Sequence, residues 1–216
     1  MDFNFIVNNI EVYVKAATLT LKISFFGILF SIIIGLILAL ILYYKIPLFR
    51  QVSKIYIEIS RNTPLLIQLV FLYYGLPRIL NITLDAEITA IIGLTFLGAS
   101  YMCESFRSAI QEIKMIQIES ALSLGFSEIQ IIRYIILPLA FSISLPSFGA
   151  NIIFLIKETS VVTIIALADL MYATSNIIGN YYKTSEALFL LVISYLIILL
   201  PISLLFSYLE KRFRYV

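Results

Sequence analysis

Three stretches of this chain run past twenty residues without a single Asp, Glu, Lys or Arg: Ile23–Tyr44, Tyr134–Ile156 and Ala187–Leu209. A helix crossing a hydrocarbon core ~30 Å thick needs roughly 20 apolar residues, so each of these can cross a bilayer unaided. Two shorter charge-free runs, Asn62–Pro77 and Ile88–Cys103, reach that length only by recruiting flanking residues such as Ile79–Leu80 and Ser105–Phe106. The expected fold class is all-α: a polytopic membrane protein of about five transmembrane helices. These lie near 17–44, 62–80, 86–108, 134–156 and 187–209, in one domain covering 1–216. Thr159–Ala168 is too short to cross. Thr159–Tyr182 is therefore expected to be re-entrant or surface-lying, its backbone satisfied by helix or protein contacts because lipid offers no hydrogen bonds.

Composition removes several functions. Only 13% of the residues are charged and 61% are hydrophobic, with no His and one cysteine, Cys103. A lone cysteine excludes an internal disulfide framework and a cysteine metal site, and the lack of His removes the commonest general base and metal ligand. A membrane-embedded enzyme is a poor fit. An ion-coupled secondary transporter or channel subunit stays as the alternative to any other transport assignment, although such proteins normally carry more spans or inverted repeats.

The placement of basic residues sets an orientation. Lys45, Arg50, Lys54 and Arg61 follow the first run, Arg107, Lys114 and Arg133 flank the middle of the chain, and Lys211, Arg212 and Arg214 close it. These are ten of the fifteen basic residues. Five spans then put the N-terminus outside and the C-terminus in the cytoplasm, with Arg78, Lys157 and Lys183 on the outer side. Lys22, at the start of the first span, is expected to snorkel towards headgroups. No basic n-region or cleavage site precedes the first run, so it is expected to be a retained anchor. That run also carries Gly27, Ser31, Gly35 and Ala39 at steps of four, a flat stripe on which another helix can pack closely. Tyr73, Tyr74, Tyr181 and Tyr182 read as interfacial aromatics.

Between the third and fourth spans lies a polar island, ESALSLGFSEIQIIRYIILP, at 119–138. Its pattern predicts two short helices broken at Gly125, with Ser127 as the N-cap of the second near Glu128. By the topology above it is a cytoplasmic knob, and a solvated loop would satisfy these features equally.

The island resembles the EAA loop of importer-type ABC transporter permeases: Glu119-Ser120-Ala121, then Gly125, then Ile135 and Leu137-Pro138 at the family's spacing. It departs in Ser120 for alanine, and nearby in Ile116 for glycine and Leu139 for glutamine. Further segments are similar to the polar amino-acid branch of that family. These are Arg61-Asn62-Thr63-Pro64-Leu65-Leu66-Ile67-Gln68-Leu69 with Tyr73-Tyr74-Gly75-Leu76-Pro77, then Ala99-Ser100-Tyr101 with Glu104, Arg107 and Ala109-Ile110. Gln117, Pro146, Asn151 and Lys157-Glu158-Thr159-Ser160 complete the match, which covers about Tyr56 to Ala173.

The resemblance implies a MetI-like permease subunit in a bacterial plasma (inner) membrane. Loop 113–133 would be a coupling helix for a cytoplasmic ABC ATPase dimer. A second permease subunit, identical or paralogous, and an extracytoplasmic amino-acid-binding protein would complete the importer, with lipid and no nucleic acid as further surroundings. Glu119 would anchor to a basic group of the ATPase, Gly125 would permit the turn, and Pro138 would begin a rigid lever in the first turn of its helix. Ser120, Ala121 and Leu137 complete the docking set. The chain has no G-x-x-x-x-G-K-[ST] to cradle phosphates, so no cofactor is expected here, and ATP and Mg would be bound by the partner. Candidates for the substrate path are Arg61, Gln68, Tyr101, Glu104, Arg107, Lys157, Glu158, Thr159 and Ser160, polar groups at membrane depth suited to a zwitterion. An internal ion pair, Glu104 with Arg107 or Glu158 with Lys157 or Arg61, would serve packing instead. Thr63-Pro64 reads as a helix cap.

Overall fold

A computed structural model describes residues 1–213, so Arg214, counted above in the basic tail, lies outside the described residues. Every regular element among them is helical. Helix α1 spans Phe3–Tyr43 and is about 60 Å long at 1.5 Å per residue, so it begins well before the expected boundary near 17. The Asp2 carboxylate caps it, accepting from the Phe5 N–H at 3.1 Å. Its first turns are held by the distant segment that starts α8 (Thr184–Phe213). Lys183 Nζ reaches Asp2 Oδ2 at 3.1 Å, the Asp2 N–H donates to Glu186 Oε1 at 2.8 Å, and buried Tyr13 donates to the Ala187 carbonyl at 2.9 Å.

The small-residue stripe meets a helix of the same chain. Gly27, Ser31, Gly35 and Ala39 are all buried against α4, Ala86–Glu112. A methyl group on Gly35 would lie 2.6 Å from Met102 Cβ and 2.9 Å from the Cys103 backbone nitrogen, so the two backbones touch almost directly. Lys22 Nζ pairs with Glu87 Oε1 at 2.6 Å, tying α1 to the first turn of α4.

The second expected span, near 62–80, is broken. Helix α2, Phe49–Asn62, and α3, Leu65–Leu80, meet at 107°. Pro64 disfavours helical backbone in the residue before it, and Thr63 is extended at φ −115°, ψ 132°. Side chains take carbonyls left open at the end of α2, the Thr63 hydroxyl donating to that of Ile59 at 2.7 Å. Gln68 Nε2 donates to the Ser60 and Thr63 carbonyls, both at 3.0 Å, and to Thr63 Oγ1 at 2.8 Å. Replacing this amide by an isosteric hydrocarbon, Gln68→Leu, should cost about 1–3 kcal/mol by stranding those buried acceptors. The variant is expected to denature at a clearly lower temperature in detergent, whereas an unchanged midpoint would remove Gln68 from the break.

After α4 come α5, Met115–Ser123, and α6, which runs without interruption over Glu128–Ile165. Pro138 therefore lies inside a helix that is already ten residues old, not in the first turn as expected. What makes room for it is a π turn at Ile132–Ile136. The Leu137 N–H donates to the Ile132 carbonyl five residues back, and the widened turn relieves the clash and missing bond that a proline imposes on an α-helix. The same device recurs in α3, where the π turn Phe71–Gly75 precedes Pro77 and the Leu76 N–H donates to the Phe71 carbonyl.

The last turns of α6, Thr159–Ile165, tighten to a 3-10 helix. The chain turns back with Ala166 in the left-handed region (φ 57°) and enters α7, Leu170–Tyr181, capped by the buried Asp169 carboxylate. Val162, Ile165, Leu170, Ala173 and Ile177 are buried within the bundle. The segment 159–182 thus makes the protein contacts expected of it. Helix α4 is central: it packs along α1 on one side and along α6 on the other, and α8 closes against α6 and α7.

Candidate functional site

The knob is built from the backbone outward. Helix α5 ends in a Schellman arrangement: the Phe126 N–H donates to the Ala121 carbonyl at 3.1 Å and the Gly125 N–H to the Leu122 carbonyl at 2.9 Å. That closure needs positive φ at one residue, and Gly125 supplies it at 82°. Two residues later Ser127 and Gln130 form a capping box, the Ser127 N–H donating to Gln130 Oε1 at 2.8 Å. Both turns were legible in the sequence. Ala121 and Ile131 point inward and are nearly sealed, at 2% and 4% exposure. Glu119 and Ser120 face outward, beside Leu122, Leu124 and Ile129, which are likewise exposed. A helical knob that shows two carboxylates, Glu119 and Glu128, amid several large apolar side chains has the composition of a protein-docking surface. Ser120 and Pro138 line one small groove of about 460 Å³ together with Tyr134 and Leu139.

The knob is mechanically continuous with the helix bundle. From the capping box at Ser127 the backbone stays helical into α6, through Leu137, Pro138 and on to Ile165. Displacement of the knob is thus displacement of a long helix end.

The substrate-path candidates divide into separate places. The Arg61 guanidinium lies over the Tyr101 ring, 5.3 Å from its centroid, and that ring packs on Phe154 of α6 at 5.2 Å. Asn151, one turn before Phe154, donates to Ser105 Oγ at 2.9 Å and joins α6 to α4. Lys157 and Glu158 follow one turn beyond Phe154. Glu104 and Arg107 sit elsewhere, in a cleft facing α2, and form an ion pair at 2.7 Å. Among the described residues Glu158 pairs with neither Lys157 nor Arg61. Gln68 is held at the helix break, and Thr159 is buried with its hydroxyl donating to the Ile156 carbonyl at 2.6 Å. Ser160 is half-buried beside it. Asn151 was not among the path candidates; its signal is a lone amide inside the charge-free run Tyr134–Ile156.

A family model, described as the binding-protein-dependent transport system inner membrane component, matches residues 31–215. The chain belongs to that family. Among its relatives, a probable amino-acid ABC transporter permease protein, PatM of Vibrio harveyi, is 37% identical over 90% of this chain and 88% of its own length. The glutamine transport system permease protein GlnP of Escherichia coli (strain K12) is 31% identical over 99% and 98%. The arginine transport system permease protein ArtQ of Bacillus subtilis (strain 168) is 30% identical over the same shares. The crystal structure of an amino acid ABC transporter with histidines matches this permease with a TM-score of 0.88 at 30% identity, over 98% of this chain and 99% of that one. An inward-facing form of the MetNI methionine ABC transporter, at 20% identity and a TM-score of 0.80, shares the fold. This permease is accordingly a multi-pass membrane transport component with the importer-type fold, and not an enzyme.

Proposed function

We propose that the permease forms one half of the path by which an amino acid, handed over by an extracytoplasmic binding protein, enters the cell. A second permease subunit completes the path, and a cytoplasmic ATPase dimer docks on residues 113–133 and supplies the energy, binding ATP and Mg itself. The N-terminus then lies outside and the C-terminus in the cytoplasm of a bacterial plasma (inner) membrane. The observation that carries this assignment is the exposed knob whose second helix runs unbroken into the bundle, because only such a link lets a soluble motor move a membrane helix. Glu119 is the charged anchor of the docked surface, with Ser120, Ala121, Gly125, Leu137 and Pro138 shaping and transmitting it.

Arg61 on Tyr101, with Lys157, Glu158 and Ser160 nearby in sequence on α6, offers both a cation and a carboxylate to a zwitterion. Glu104 and Arg107 neutralise each other and belong to the cleft facing α2. In vesicles reconstituted with the permease, its ATPase and the binding protein, labelled amino acid is expected to accumulate only when ATP is inside with the ATPase. Accumulation driven by an ion gradient alone would overturn the assignment in favour of a secondary transporter.

A further inference from the structure

At the end of α1 the chain turns through Tyr44–Leu48, where Lys45 and Leu48 both hold positive φ, 53° and 63°. Neither has glycine's freedom, so the surroundings maintain the turn. The Ile46 N–H donates to the Ile41 carbonyl at 3.2 Å and the Arg50 N–H to the Ile46 carbonyl at 3.0 Å. The result is that Lys45 joins Arg50 and Lys54 of α2 along one cleft of about 870 Å³ between α1, α2 and the second half of α4.

Two acids share this cleft. Glu104 is paired with Arg107 of the same lining, and Glu58, whose Oε2 accepts from the neutral Asn62 amide at 2.9 Å, keeps its charge. Among the described residues, Lys45, Arg50 and Lys54 form no ion pair. Three unpaired cations against the one unpaired Glu58 carboxylate leave the cleft positive and attract anions. Leu48, 72% exposed, lines a second pocket with the same three cations, and Phe49 and Val52, 59% and 57% exposed, continue from it round the outer side of α2. A soluble anion would use the cations and leave these side chains in water. Cations adjoining exposed apolar side chains on one amphipathic helix fit an amphiphile with an anionic head.

We propose that Lys45, Arg50 and Lys54 hold the phosphate headgroup of an anionic phospholipid whose acyl chains lie along Leu48, Phe49 and Val52. The site rests on the membrane placement given above and not on ATP coupling. It would let the charge of the surrounding bilayer bias the turn that joins α1 to the broken pair α2 and α3.

The test uses the purified permease in detergent, without ATPase, incubated with phosphatidylglycerol, phosphatidylcholine or inorganic phosphate and examined by native mass spectrometry. Wild type is expected to retain phosphatidylglycerol in preference to phosphatidylcholine. Each near-surface basic group contributes roughly fivefold, so Lys45→Gln/Arg50→Gln/Lys54→Gln should lower that retention by about two orders of magnitude. Lys15→Gln, whose lysine is exposed and pairs with Glu11 far along α1, should not change it. Where the triple variant does not elute as one species, Lys54→Gln alone is expected to show the single fivefold loss. Undiminished retention in the variants, an equal loss in Lys15→Gln, or binding of inorganic phosphate with no preference between the lipids would each overturn the proposal. Because no ATPase is present, such a failure leaves ATP-driven uptake unaffected as a question, and a failure of uptake leaves lipid retention standing.

Discussion

Gly35→Leu should abolish the native fold. The position has no room for even one methyl group: a Cβ would sit 2.6 Å from Met102 Cβ, 2.9 Å from the Cys103 nitrogen and 3.0 Å from the Ala99 carbonyl oxygen. Two of those three contacts are backbone, which cannot rotate away as a flexible side chain can. Overpacking a close site by a methylene or two already costs about 1–3 kcal/mol. An isobutyl group between the longest and the most central helix should exceed about 4 kcal/mol, a large part of any membrane protein's margin. The expected result is aggregated or degraded protein, with Gly35→Ala intermediate. Gly179→Ala is the matched control, since a Cβ there meets nothing within 4 Å, and it should behave as wild type. A monodisperse Gly35→Leu protein with an unchanged melting temperature would show that α1 and α4 do not approach as described.

Glu119→Lys should leave folding intact and stop transport. Glu119 is exposed on α5 and its side chain enters no ion pair among the described residues, so stability is expected to change by less than about 0.5 kcal/mol. If it meets a basic group on the ATPase, losing a charge-assisted bond costs about 1.5–3 kcal/mol, and reversing the charge adds repulsion. Uptake in the reconstituted system should then fall by more than about tenfold while ATP hydrolysis by the partner loses its dependence on substrate. Gly125→Val acts through shape instead. A β-branched residue at φ 82° is strongly disfavoured, so the turn must reopen and the exposed face must shift. Full uptake by both variants would disprove docking on this face.

Much of this fold was legible because its signals are local. Charge-free runs mark apolar helices whatever their partners, Ser127 is an N-cap signal carried by one residue, and Gly125 is a conformational requirement of one residue. The stripe from Gly27 to Ala39 announced close packing but not its partner, because helix pairing depends on residues some sixty positions away. The 107° break was written only as Thr63-Pro64; that the charged helix before it and the apolar helix after it form one bent pair depends on Gln68 reaching back to Ser60. Helix α1 begins at Phe3 because Lys183 and Glu186 hold Asp2, and no window on the N-terminal sequence contains those residues. At the candidate site the two short helices and the turn at Gly125 could be read from the local pattern. The division of the polar candidates was legible only in part: Glu104 with Arg107 is a local pair three residues apart on α4, whereas Arg61 over Tyr101 is set by how α2 lies across α4.

The π turns before Pro77 and Pro138 carry a consequence for rotational phase. Each holds one residue more than an α-helical ladder would, and one residue in an α-helix corresponds to a rotation of about 100°. Deleting Ile135 would restore the regular ladder ahead of Leu137, yet it would turn all of α6 beyond it by that angle relative to the knob. Asn151 would leave Ser105, Phe154 would leave Tyr101, and the helix would present a different side to α4. The extra residue is thus an angular setting: it fixes which face of the membrane helix a given orientation of the knob directs toward the centre of the bundle.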